Sequence, residues 1–363
     1  MLAADGPGLN TGWELIIFSK EHTHARCVMY GPGDVRVEDR PAPAIEEPTD
    51  ATVRIVRTCI CGSDLHPYHS MEASQEGARM GHEMIGVVEQ VGDLVFTVKP
   101  GDLVIAPFAF SDNTCDICLD GFQTACPHGG FFSTCQSEMV RVPQADGTLV
   151  VAPATEDEAT LKSYLALSDV YLTGYHAAFM GKVEPGKSVA VIGDGAVGLS
   201  AVLTASRMGA DRIILMGRHT DRTDLGREFG ATDVVAERGQ EGVEQVLELT
   251  GRQGTHVVLE AVGLKPAYEQ AYGVVRSGGV ISRVGVPQYE EAPMGPRTLW
   301  GRNITLTGGP APVRSYLDQG LRDVVEGLVN PGRLFDVALP LDEASKGYEL
   351  MDSRKALKVM LIP

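Results

Sequence analysis

A thiolate, an imidazole and a carboxylate can together hold a catalytic zinc ion, provided one coordination position stays open for a substrate oxygen. This sequence offers all three, in separate segments. Cys61 opens the run Cys61-Gly62-Ser63-Asp64-Leu65-His66, and His82 stands in Gly81-His82-Glu83-Met84-Ile85-Gly86. A third protein ligand must come from elsewhere. Asp169, in Leu167-Ser168-Asp169-Val170, is the best placed, because it lies where the chain passes between domains and such junctions form clefts. The rival reading of Asp169 is a helix N-cap. Ser63 is close enough to Cys61 in sequence to accept a proton from a bound hydroxyl. His66 can pass that proton on, since an ordinary histidine titrates near about 6.5; its rival reading is an exposed loop histidine.

A second cluster follows. Cys115, Cys118 and Cys126 lie close together in a polar loop that also holds Asp112. In a reducing compartment such spacing favours a metal over a disulfide. Cys135 is near enough in sequence to compete as a ligand, and Cys27 and Cys59 receive no role.

The third chemical motif is Val189-Ala-Val-Ile-Gly193-Asp-Gly195-Ala-Val-Gly198-Leu. An apolar strand precedes this G-x-G-x-x-G and a helix opens on it, the context of a dinucleotide fingerprint. Gly193 permits the tight turn, Gly195 lets the backbone approach a pyrophosphate, and Gly198 lets helix and strand pack closely. The helix N-terminus offers unpaired N–H groups to the phosphates. Ala196 and Val197 inside the motif, with Val262 and Val286 further on, complete the expected cofactor contacts. The next strand ends at Met216-Gly217-Arg218-His219, with no acid to hold the ribose hydroxyls of NAD. Gly217 leaves room and Arg218 supplies a cation for a 2′-phosphate, so NADP is expected and NAD remains possible.

These motifs need two kinds of scaffold. From residue 26, strand-like runs alternate with Gly, Pro and Asp turns: 52–60, 87–91, 103–106 and 139–142 read as strands of an irregular β domain. From residue 187, apolar runs alternate with helical stretches. Strands are expected at 188–192, 212–216, 233–235, 256–260 and 279–284, and helices at 196–208, 222–229, 241–249 and 266–275. Repeated βα units of this kind imply a parallel sheet covered on both faces. A helix at 317–328 and a last strand at 358–362 follow. Residues 1–25 hold no sustained periodicity and read as a disordered extension.

The 363 residues suit two domains. The net charge of −17 (31 Lys and Arg against 48 Asp and Glu) opposes nucleic-acid binding. No apolar run is long enough for a signal sequence or a membrane span, and the odd count of 7 Cys is unlike a secreted disulfide framework. A cytoplasmic protein is expected. Tyr68, Phe108, Phe110, Phe131, Phe132 and Trp300 are aromatic residues available to line a pocket, and the absence of a basic cluster suggests a small neutral or aromatic substrate.

The run Gly81-His82-Glu83-x-x-Gly86, followed by Gly92 and Val95, resembles the signature of the zinc-containing medium-chain alcohol dehydrogenases. The run Cys61–His66 is similar to the segment that carries their first zinc ligand. The resemblance covers residues 26–363 and is to the bacterial branch, where Asp often fills the third ligand position. It implies an α/β fold: a GroES-like β-rich catalytic domain at 26–172, a Rossmann cofactor domain at 173–311, and a C-terminal segment, 312–363, completing the first domain. It implies that Cys61, His82 and Asp169 hold the catalytic zinc and that Glu83 can enter the coordination sphere transiently. A proton relay would run from Ser63 through the nicotinamide ribose to His66. Where the family carries a structural zinc it uses four Cys. Here the first position falls on Asp112, so Asp112, Cys115, Cys118 and Cys126 would be the ligands. A homotetramer or homodimer is also implied. Rival readings are a zinc-independent quinone or enoyl reductase of the same superfamily and a non-catalytic NADPH-binding protein.

Overall fold

A computed structural model describes residues 23–363. The expected extension at 1–25 lies outside the described residues as far as residue 22. Its last three residues belong instead to a strand, Thr23–Gly31, paired antiparallel with Asp34–Pro41.

The first lobe is built on a sheet ordered Val150–Val151, Leu103–Ala106, Met84–Val91, Ala51–Cys59, Val359–Ile362, Val337–Pro340, with Met139–Val142 also pairing with Ala51–Cys59. The short strands and tight turns bury one apolar face, where Val53, Met84, Val104 and Val140 pack together. The chain's last strand enters this sheet antiparallel, setting Met360 opposite Cys59. The C-terminus therefore completes the lobe that contains Cys61 and His82.

The second lobe is a six-stranded sheet ordered Asp233–Val235, Arg212–Met216, Ser188–Ile192, Thr255–Glu260, Val275–Arg283, Thr305–Gly308. Every pairing is parallel. Strand order reverses beside Ser188–Ile192, which creates a crevice at the carboxyl ends of the strands. Val189, Val191, Leu215 and Leu259 are buried on one face and Ala190, Ile192, Ile214 and Val258 on the other, as expected of a sheet covered on both sides.

Two helices not anticipated from periodicity join the lobes. Glu158–Leu167 is capped by Asp157, whose carboxylate accepts from Thr160 N at 2.8 Å. Val170–Met180 follows after a two-residue break and runs across the expected domain boundary at 172/173. Val170–Met180 and, after its exposed first turn, Glu158–Leu167 are buried on nearly every side, within a core that reaches from Ile85 and Ile105 of one sheet to Val191 and Leu215 of the other. A helix with apolar residues all round carries no amphipathic signature. The break at Ser168-Asp169 places a carboxylate at the seam between the lobes.

Candidate active site and metal centres

The strand Ala51–Cys59 delivers Cys61 to the seam, and the turn before Met84–Val91 delivers His82. Asp169 arrives from the break between the two connecting helices. Its position is that of an N-cap, but its side chain caps no backbone N–H. Oδ1 accepts from Thr173 Oγ1 at 2.6 Å, while Oδ2 lies 3.4 Å from His82 Nε2 and 3.8 Å from Cys61 Sγ. One donor atom each from Cys61, His82, Glu83 and Asp169 falls within 4.8 Å of the others. The set of thiol, imidazole and carboxylate suits zinc.

The electrostatics also suit a cation. Burial works against a charge on His82, but Cys61, Asp64 and Asp169 outweigh it and hold its pKa well above the ordinary histidine range. Burial likewise opposes the Asp169 charge, and the donors His82 and Thr173 overcome it, so that carboxyl stays below its usual range. A thiol and two carboxylates around one buried imidazole make the cluster attractive to a positive ion.

Residues without an assigned role support this cluster. Asp64 Oδ1 lies 3.5 Å from His82 Nδ1, the nitrogen turned away from Asp169. Asp64 Oδ2 accepts from Cys61 N at 3.0 Å and from Gln136 Nε2 at 2.9 Å. Tyr348 donates to Gln136 Oε1 at 2.9 Å. Outer groups of this type fix the orientation of a ligating histidine. The sequence held a hint for Asp64, which sits inside the Cys61–His66 run, and none for Gln136 or Tyr348. Lys358, another residue missed, forms a buried ion pair with Glu83 at 2.8 Å.

A cavity of about 850 Å³ opens beside the cluster, between the lobes. Cys61, His82 and Asp169 line one end, with Ser63 and His66 beside them. Ser63 and His66 make no direct hydrogen bond to each other among the described residues. Burial lowers the His66 pKa, with His69 adding to the effect. Phe108 and Phe131 stack at 5.9 Å with nearly parallel planes, and Phe108 meets His82 edge-on at 6.3 Å. Phe132 also lines the cavity. Three of the named aromatics lie away from the cavity wall. Tyr68 packs in the core against Tyr348, Phe110 turns to Phe132, and Trp300 is 80% exposed on the surface.

The far end of the cavity is formed by the glycine loop and the next strand ends: Gly193, Gly195, Ala196, Val197, Gly217, Arg218, Val262 and Val286. Gly193 adopts φ +110°, open to glycine and unfavourable to other residues. A Cβ on Gly198 would come within 1.9 Å of Gly193 O, so that residue serves close packing and stays outside the cavity wall. Asp194, between the first two glycines, was given no role. Its Oδ2 accepts from Arg218 N at 2.8 Å and His219 N at 2.9 Å, and lies 2.8 Å from His219 Nδ1. It fills the space beside Gly217, where a Cβ would approach Asp194 Cβ to 2.5 Å. An acid therefore does stand at this strand end, supplied by the loop, with one oxygen committed to the Arg218-His219 turn. The Arg218 side chain finds no partner among the described residues.

The second cluster is local. Asp112, Cys115, Cys118 and Cys126 each offer a donor atom within 4.8 Å of the others, and Cys115 and Cys126 sulfurs are 3.9 Å apart. Asp112 Oδ1 accepts from Thr114 N and Cys115 N, and Oδ2 lies 2.5 Å from His128 Nδ1. Burial opposes the Asp112 charge, but those donors, His128 foremost, keep its carboxyl far below the usual range. Burial raises the Cys118 thiol, reinforced by Cys115 and Cys126. Three thiols and one carboxylate again form a zinc-type donor set. None of the four lines the cavity. Cys135 is fully buried in the apolar core of the first lobe and takes no part.

Comparison with known proteins identifies two family segments in the chain. Residues 47–154 match the family described as alcohol dehydrogenase GroES-like domain, and residues 196–322 match the one described as zinc-binding dehydrogenase. Zinc-type alcohol dehydrogenase B of Aspergillus flavus is 34% identical over 354 residues, covering 94% of this chain and 82% of that protein. The NADP-dependent isopropanol dehydrogenase of Clostridium beijerinckii is 32% identical over 287 residues, 76% of this chain and 81% of that one. Among solved structures, the alcohol dehydrogenase TADH from Thermus sp. ATN1 superposes with a TM-score of 0.86 at 34% identity, covering 93% of this chain and 99% of its own.

Proposed function

The chain belongs to the zinc-type alcohol dehydrogenase family and is an oxidoreductase acting on alcohols with zinc and a nicotinamide cofactor, and from that premise we propose how its own residues divide the work. Cys61, His82 and Asp169 hold the catalytic zinc. The observation that carries this is their convergence, with Glu83, within 4.8 Å at the wall of the cleft. Bound there, zinc supplies Lewis acidity to the substrate oxygen, and the nicotinamide supplies the hydride acceptor.

The remaining steps fall to the chain. Ser63 accepts the hydroxyl proton, and His66 carries it towards solvent, in a relay completed by the cofactor ribose. That reading is supported by the place of both side chains in the cavity wall beside Cys61. Phe108 and Phe131 flank the carbon skeleton of a small neutral or aromatic alcohol. The loop from Gly193 to Gly198 receives the pyrophosphate, with Val262 and Val286 along the nicotinamide half. Asp112, Cys115, Cys118 and Cys126 hold a second zinc that closes their loop.

NADP is the preferred cofactor in this reading. It is supported by an unpartnered Arg218 at the cavity wall and by the commitment of Asp194 Oδ2 to backbone donors. The isopropanol dehydrogenase that resembles this chain is NADP-dependent by name. A homotetramer or homodimer is supported by the edge strand Thr305–Gly308, which has a neighbour on one side only, beside the exposed Trp300. No helix among the described residues is long and apolar enough to cross a membrane. Seven free thiols suit a reducing, cytoplasmic setting.

The test is steady-state oxidation of an alcohol panel with NADP and with NAD. Arg218→Ala should cut kcat/KM for NADP by about tenfold, equivalent to about 1.4 kcal/mol, and leave NAD little changed. An equal loss with both cofactors would refute the NADP reading. His66→Ala should slow alcohol oxidation with full metal content; metal loss in that variant would refute the relay.

A further inference from the structure

The two oxygens of Glu83 are treated unequally. Oε1 receives Lys358 Nζ at 2.8 Å, whereas Oε2 is buried with no hydrogen-bond partner among the described residues. Glu83 is 0% exposed and Lys358 1%. Buried polar atoms are ordinarily satisfied, so an orphaned carboxylate oxygen calls for an explanation. The same carboxylate offers a donor atom within 4.8 Å of those of Cys61, His82 and Asp169.

Lys358 is itself tightly placed. It stands immediately before the last strand, whose first residue reaches the residue before Cys61. Ile60 N donates to Val359 O at 3.0 Å, and Lys358 Nζ donates to Ile60 O at 3.4 Å. Lys358 N donates to Asp336 Oδ1 at 3.0 Å. The ammonium is thus fixed on the side of Glu83 that faces the last strand. Two cations then compete for one buried carboxylate: the fixed ammonium and an ion held by the three ligands.

We propose that Lys358 is a positioning residue that holds Glu83 in reserve beside the catalytic metal, keeping the open coordination position free for substrate. This rests on the reading that Cys61, His82 and Asp169 hold that metal. With the ammonium present, Glu83 has a counter-charge and stays out of the coordination sphere. With it removed, the carboxylate is left facing the metal without that counter-charge. Zinc-type sites expand to accept a further ligand, so Glu83 then occupies the position that substrate needs.

The experiment uses the full chain loaded with cobalt(II), whose visible absorption reports coordination geometry. The difference spectrum against Cys61→Ala isolates the catalytic site from the second cluster. Lys358→Met should weaken and shift that band, as an added carboxylate oxygen raises the coordination number, and should raise KM for the alcohol. Lys358→Arg, which keeps the cation, should restore the native band. So should Glu83→Gln combined with Lys358→Met, which removes the intruding carboxylate. Should the methionine variant fail to fold, Lys358→Gln retains a donor for Ile60 without the charge and should give the same change. A band identical to the native one in the neutral variants would overturn the proposal while leaving the metal assignment intact. A native chain with no cobalt signal lost on Cys61→Ala would instead overturn the metal assignment beneath it.

Discussion

The two metal-type clusters are made from similar donors by opposite means. Asp112, Cys115, Cys118 and Cys126 come from one loop, and backbone N–H groups of Thr114 and Cys115 preset the first ligand. Cys61, His82 and Asp169 come from a strand end, a turn and a break between helices, and meet only when both lobes are in place. The local cluster stands apart from the cavity. In the dispersed one, Cys61, His82 and Asp169 form part of the cavity wall, and the fourth donor, Glu83, is paired with Lys358. Proximity in sequence is enough for a stabilising site, whereas a site that must admit substrate is assembled by the fold that makes the cleft.

The strongest way to break this comparison is at the dispersed cluster. Cys61→Ala should reduce turnover roughly a thousandfold or more, since the Lewis acid contributes several kcal/mol to the transition state. Metal analysis should show the loss of one zinc per chain with the second retained; loss of both would show the clusters to be coupled. Cys118→Ala should do the converse. Opening the loop should destabilise the chain by about 3 kcal/mol, the scale of closing a loop of this size, while turnover per folded molecule changes little. Thermal unfolding and active-site titration check the two halves, and a matched fall in turnover would contradict a purely structural role. The smallest effect is expected at His128→Ala. Freeing Asp112 Oδ2 should weaken zinc retention at the local cluster by about 10- to 100-fold, measured by competition with a chromogenic chelator. Unchanged retention would mean that Asp112 is oriented by its backbone donors alone.

The same contrast governs what could be read in advance. The local cluster was legible down to its members, with only His128 escaping, because its ligands lie within one stretch of chain. The βα units from residue 188 were legible because alternating apolar strands and helices leave a periodic record. The helices Glu158–Leu167 and Val170–Met180 left none, being buried on nearly all sides. Asp169 was legible as a ligand candidate from its place at the domain junction and from the family resemblance, with an N-cap as its rival; it holds the N-cap position while its side chain faces His82 and Cys61. The aromatic residues were sorted poorly: Phe108, Phe131 and Phe132 face the cavity, while Tyr68 and Phe110 point into packed cores. Neighbouring residues on a strand or short helix face different ways, and composition does not record which.

The sequence by itself determined the donor chemistry, the glycine turn, the parallel sheet and the loop cluster, because each depends on residue type or on neighbours a few positions apart. Only the tertiary structure decided that Lys358 would meet Glu83, that Asp194 would fill the space beside Gly217, and that Gln136 and Tyr348 would brace Asp64. Those contacts join segments distant along the chain. Their partners are chosen by how sheets and helices pack, and packing is a property of the whole core and of no single stretch within it.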